Sequence, residues 1–183
     1  MQGSLTGRLL VALPLLDDPN FERAVVLVLD HDEDGALGVV LNRASNVALH
    51  EALGDWSTVA AQPAVMFGGG PVEPTAVVAL GRDRPGLAPG DGDGDDGQAV
   101  RLVDVSEGPP AHHLEQVRVF AGYAGWAPGQ LEAEIEQGAW IDVAALPDDV
   151  FTGDPGVLWA RVLARQPGRL RLLAAFPEDP STN

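Results

Sequence analysis

Apolar residues in this chain fall in short, nearly uninterrupted runs. Arg8 to Leu13 spells RLLVAL and stops at Pro14, and Ala24 to Leu29 spells AVVLVL. Runs of this length without polar alternation predict strands buried on both faces. Asp34-Gly35 separates the second run from another apolar segment. That dipeptide signals a tight turn, because glycine supplies the positive φ the turn needs. Ala24–Asp30 and Leu37–Asn42 are therefore expected to pair as an antiparallel hairpin, a pairing that could bring His31 and Asn42 to the same end of the sheet.

The remaining pattern predicts short elements. Val47–Trp56 suits a helix ending near Gly54. Ala64–Phe67 suits a strand that enters Gly68-Gly69-Gly70-Pro71, and Ala76–Leu80 suits another. Residues 82–98 form a Gly/Pro/Asp-rich loop, long enough for a compact domain to suggest motion or function. Ala99–Val105 alternates like a half-exposed strand, and Pro109–Gln116 suits a helical turn or two. Val117–Ala121 is a strand candidate, followed by the turn-rich Gly122–Trp126. Gln130–Gln137 places Leu131 and Ile135 on one helix face, with Gly138 able to close it. Trp140–Val143 returns as strand. Asp154-Pro155 offers an N-cap and first-turn pair for a helix to about Arg165, with Leu158, Trp159 and Val162 inward. Arg169–Phe176 is expected as the last strand, and the tail over 177–183 as loose.

Strands and helices mix without the steady alternation of a doubly wound sheet. The 183 residues show neither a repeat nor a linker, so residues 1–183 are expected to form one domain.

Charge narrows the functional classes. There are 27 acidic and 11 basic side chains, a net charge of -16. Nucleic-acid affinity comes mostly from neutralised phosphates, so direct DNA binding is disfavoured. The densest basic stretch, Arg161, Arg165, Arg169 and Arg171, suits a solvated helix face and strand end. With no cysteine, disulfides, thiolate catalysis and Cys-ligated zinc are excluded. The N-terminus lacks the basic region and cleavage site of a signal peptide, and no apolar stretch is long enough to span a membrane, so the cytoplasm is the expected compartment.

Four stretches carry a resemblance. They are GRLLVALPLLDDPNFERAVVLVLDHDEDGALGVVLNR (Gly7–Arg43), FGGGPVEP (Phe67–Pro74), AGYAGWAPGQLEAEI (Ala121–Ile135, with Trp140 beyond) and LWARVLARQPG (Leu158–Gly168). In this order they resemble the bacterial YqgE/AlgH family, and the last looks like its actinobacterial branch. The resemblance implies a single compact α+β domain. Its sheet would be bent, bifurcated, mostly antiparallel and partly barrel-like, flanked by short helices. One branch of that family is named as a regulator of alginate production; no reaction and no cofactor carry over. Where many relatives have Leu-His after the GGPV strand, this chain has Ala79-Leu80, so a site built on that histidine does not transfer.

Several groups could carry chemistry. Gly68, Gly69, Gly70 and Pro71 could form an anion-binding nest of backbone N–H groups, or could merely let another backbone pack closely. Tyr123, Trp126, Gln130 and Glu132 could wall a pocket, or could dock a helix through Trp126 and Trp140. Glu132 and Glu134 fall on different helix faces and cannot form one acid–base pair. His31, beside Asp30 and Asp32, is a candidate base or a turn-stabilising residue. Asp91, Asp93 and Asp95 imitate a calcium loop, but Asp96 and Leu102 stand where glycine and glutamate are required. His112 and His113 diverge on a helix, so no metal site is expected.

Three functions follow. The first is a binding module for a small molecule or protein, with a possible indirect regulatory role. The second is an enzyme using His31, Asn42 or Glu132. The third, a direct DNA-binding regulator, is the one the charge disfavours.

Overall fold

Alternate residues of the first strand enter different cores, which explains why its sequence is apolar throughout. In the computed structural model, which describes residues 3–86, 100–109 and 113–175, β1 is Arg8–Ala12. Leu9 and Val11 join one buried cluster, while Leu10 and Ala12 join another on the opposite face of the sheet. A strand with a period of two can be apolar at every position only when both faces are covered. The next strand, β2 (Val25–Asp32), divides in the same way, Val25 and Leu27 against Val26 and Val28.

The expected hairpin is present. β2 pairs antiparallel with β3 (Gly35–Val40), from Val26↔Val40 to Asp32↔Gly35. This register corrects one expectation. His31 pairs with Ala36 beside the turn, whereas Asn42 lies past β3 and accepts a hydrogen bond from the Val25 amide at Oδ1. The two residues sit at opposite ends of the hairpin.

The other strands are β4 (Ala44–Ala48), β5 (Val65–Gly68), β6 (Val72–Asp83), β7 (Val100–Leu102), β8 (Leu114–Trp126) and β9 (Trp140–Ala144). They form a nine-stranded sheet in the order β4-β5-β8-β3-β2-β1-β9, with β6 branching off β8 and β7 off β6. The long β8 makes the bifurcation. Its last residues pair with β3, its first residues with β6, and its middle runs parallel to β5. Other strand pairs are antiparallel, the ends of the path do not meet, and the sheet stays open. The chain is thus an α+β domain with an unclosed sheet.

Short helices cover the sheet: α1 (Leu49–Leu53), α2 (Gln130–Glu136), α3 (Pro147–Val150), α4 (Leu158–Ala164) and α5 (Leu170–Leu173). Leu158, Trp159, Val162 and Leu163 of α4 are buried in the cluster that holds Leu9, Val25 and Phe120. Asp154 makes no side-chain cap; a 3₁₀ turn, Pro155–Val157, leads into α4 instead.

Four boundaries differ from the sequence reading. Leu114–Gln116 belongs to β8 because it pairs with Arg82 and Asp83 of β6, so those two residues are strand rather than loop. Gly122–Trp126 continues β8, with Gly122 at φ 73 where the β6 register shifts. The expected strand over Ala99–Val105 is reduced to Val100–Leu102. The expected final strand is α5, because Leu173 and Ala174 pack against the α4 core as one helical face. The Asp-rich segment 87–99 and the tail from 176 lie outside the described residues.

Candidate functional site

The most chemical-looking pair in the sequence is satisfied internally. His31 is buried. Its Nδ1 accepts a 3.0 Å hydrogen bond from the Leu5 amide. That leaves the ring proton on Nε2, which donates to Glu132 Oε1 at 2.8 Å. The Glu132 carboxyl is held below its ordinary value, first by its own backbone N–H and then by the His31 bond. Neither ring nitrogen keeps a lone pair for a substrate.

Glu134 does what the GYAGW–GQLE segment needs. Its Oε2 accepts from the indole N–H groups of Trp126 and Trp140, each at 2.9 Å. Its Oε1 accepts from Gln130 Nε2 at 2.8 Å, while Gln130 Oε1 accepts from the Ala127 amide. Phe21 completes the aromatic cluster, 5.5 Å from Trp140 and 6.3 Å from Trp126 between centroids. Helix α2 is therefore docked by buried indoles that share one carboxylate. Tyr123, beyond the bend at Gly122, packs partly buried against the α4-side core.

The glycine run is spent on close packing. The Gly68 and Gly69 amides donate to Arg43 O and Ala121 O, both at 2.8 Å, inside the sheet. A Cβ on Gly69 would stand 2.2 Å from Gly122 O, and one on Gly70 would stand 2.2 Å from Tyr123 O. Pro71 then turns the chain into β6. With two amides committed, the segment lacks the convergent donors of a nest.

Two clefts open on the surface. One, of about 380 Å³, is mostly apolar and is lined by Leu27, Leu29, Leu80, Leu102 and Leu146. The Arg101 in its wall is already held by both carboxylate oxygens of Asp83, at 2.6 and 2.8 Å. The other, of about 580 Å³, lies between the open end of the hairpin and α4, among Glu22, Arg23, Asn42, Arg43, Val157 and Trp159. Of the residues singled out in the sequence, only Asn42 lines either cleft.

The second cleft is held from several sides. Arg23 has φ 51, the left-handed region that side chains other than glycine rarely occupy. Its carbonyl accepts from Asn42 Nδ2 at 2.9 Å. Its guanidinium carbon lies 4.5 Å above the Trp159 ring, and the indole N–H of Trp159 donates to Ala12 O at 2.8 Å. Arg43 donates to the Glu22 carbonyl. Burial lowers the Arg43 pKa from its ordinary value, and Glu22 opposes the shift. Sequence reasoning missed both arginines, although the predicted hairpin contained the signal: residues just before its first strand and just after its second must lie side by side.

Elsewhere the basic residues are engaged structurally. Arg165 grips buried Asp149 at 2.6 and 2.7 Å, and Arg161 donates to Thr152 Oγ1. Arg118 is buried under β8 and donates to the carbonyls of Gln62, Val150 and Thr152. Among the described residues no cluster of three metal-ligating side chains forms, and no helix is long and apolar enough to cross a membrane.

Fold and clefts define an α+β domain with an open, forked sheet and a guanidinium-lined surface cleft. The chain belongs to the AlgH-like family, which it matches over residues 9–171. It is 49% identical to a UPF0301 protein of Streptomyces coelicolor, over 98% of this chain and 96% of the relative. It is 50% identical to a UPF0301 protein of Thermobifida fusca over the same shares. Among solved structures it is similar to a Corynebacterium diphtheriae protein, with a TM-score of 0.85 and 33% identity, covering 96% and 94% of the two chains. It is also similar to the AlgH protein of Pseudomonas aeruginosa, with a TM-score of 0.65 and 30% identity, covering 98% and 100%.

Proposed function

We propose that the protein is a small-molecule binding module, with its ligand in the cleft between the open end of the β2–β3 hairpin and α4. The observation that carries this reading is the cleft itself. Its volume of about 580 Å³ falls within the roughly 300–1,000 Å³ typical of ligand sites. It also gathers polar groups at fixed positions, with the Arg23 backbone latched by Asn42.

Binding is favoured over catalysis by the state of the catalytic candidates. A general base needs a lone pair within reach of a substrate proton, and both nitrogens of His31 are occupied. Asn42, at the far end of the hairpin, cannot join it. Any regulatory role is then exercised through occupancy of the cleft rather than through contact with DNA, given a net charge of -16.

Amide chemical-shift mapping against a panel of nucleotides, phosphosugars, carboxylic acids and neutral sugars tests the reading. Shifts at residues 20–23, 42–43 and 156–160 are expected for at least one compound. A panel whose hits all fall on residues 68–72 and 122–126, or that gives no hit, contradicts it.

A further inference from the structure

We infer that the ligand of this cleft carries a phosphate monoester, recognised by the guanidinium groups of Arg23 and Arg43. The inference rests on the binding-module reading and adds the chemistry of the ligand.

The argument begins with charge. The chain has 11 basic against 27 acidic side chains, so the field around it repels small anions. The cleft reverses that balance locally, with two guanidinium groups against one carboxylate, Glu22, in its wall. Glu22 is exposed, so water screens its charge; the two arginines are half-buried, and theirs is screened less. Arginine is also weakly hydrated and presents a planar fork of donors that matches phosphate oxygens.

Preorganisation is the second strand of the argument. Folding places Arg23 at φ 51, and such strain persists only where the surroundings over-determine it. Here they do: Asn42 Nδ2 holds the Arg23 carbonyl, and the Trp159 ring, itself fixed by its bond to Ala12 O, supports the guanidinium. Burial lowers the pKa of Arg43 while its backbone carbonyl is tied to Gly68 of β5. Two cations from the two arms of one hairpin are thus brought together and stiffened, although their mutual repulsion works against folding. An oxyanion between them relieves that repulsion, and its partly dry surroundings strengthen the bonds. Phosphate suits the pair better than a carboxylate because its several oxygens can serve two separate forks.

The test is a titration at constant ionic strength with glycerol phosphate, inorganic phosphate, acetate and glycerol. Tryptophan fluorescence and backbone amide shifts are both followed, since Arg23 covers Trp159. Glycerol phosphate is expected to saturate and to move the amides of Arg23, Asn42 and Arg43, while glycerol leaves them in place. Raising the salt should weaken binding. Arg23→Gln and Arg43→Gln should each raise Kd about tenfold or more, as loss of a charge-assisted bond implies. The exposed Arg171→Gln should leave Kd unchanged. If Arg43→Gln does not fold, Arg43→Lys serves instead, since it keeps the charge and loses the fork.

Arginine variants that bind glycerol phosphate like the wild type would overturn the inference. So would glycerol or acetate binding as tightly as the phosphates. If neutral compounds move the cleft amides and phosphates do not, the ligand class is wrong and the binding module survives. If nothing moves them, both fall.

Discussion

His31 and Glu132 meet through a 2.8 Å hydrogen bond across 101 residues of sequence. The contact joins β2 to α2, and the Leu5 amide closes it from the N-terminal side. The Glu132 carboxyl lies below its ordinary 4.5, so the sign of its pH dependence is fixed. Stability from this group is present above 4.5 and is lost as pH falls through the lower folded-state value. Urea unfolding of wild type and Glu132→Gln should differ by a constant amount near neutral pH, and the difference should shrink below 4.5. A difference independent of pH would mean that the charge of Glu132 adds nothing.

Glu134 predicts a larger effect than Glu132. Replacing it by alanine leaves the indole N–H groups of Trp126 and Trp140 without an acceptor in a buried cluster. A buried donor left unsatisfied costs about 1–3 kcal/mol, so Glu134→Ala should lose roughly 2–5 kcal/mol in urea unfolding. Glu134→Gln, which keeps an acceptor oxygen, should lose less.

Arg118 makes a similar argument with the charge reversed. Burial lowers its pKa to about 10, three backbone carbonyls accept its protons, and its guanidinium lies 4.3 Å over Phe67. Arg118→Met removes the costly charge but strands those carbonyls. The stranded acceptors should prevail, by about 3 kcal/mol or more, and chemical denaturation measures the difference.

Gly69→Ala should fail for steric reasons alone, since its Cβ would meet Gly122 O at 2.2 Å. A loss of roughly 3 kcal/mol or more is expected. Gly153→Ala, with nothing within 4 Å of its Cβ, should be nearly neutral. Thermal melting of the two variants checks the contrast.

The hairpin, α2 and β9 were legible because each rests on local pattern: an Asp-Gly turn, an i, i+4 pair, a short apolar run. The final strand was misread because Arg169-Leu170-Arg171-Leu172 alternates like a strand. The same residues also place Leu170, Leu173 and Ala174 at helical spacing, and packing on α4 decides between the two. The forked β8 was not legible, because its partners lie far away in sequence and only the register shift near Gly122 reveals the change of neighbour. Site residues followed the same rule. Glu132 stood out as a polar residue, but its partner depended on long-range register. Arg23 and Arg43 could have been paired from the hairpin alone, yet attention went to the histidine and the glycines.

Hydrogen–deuterium exchange, with and without a saturating pool of cellular metabolites, tests the central claim most directly. Protection confined to residues 19–23, 42–43 and 156–160 is the predicted result. Protection centred on 68–72 and 122–126, or unchanged exchange throughout, would contradict it.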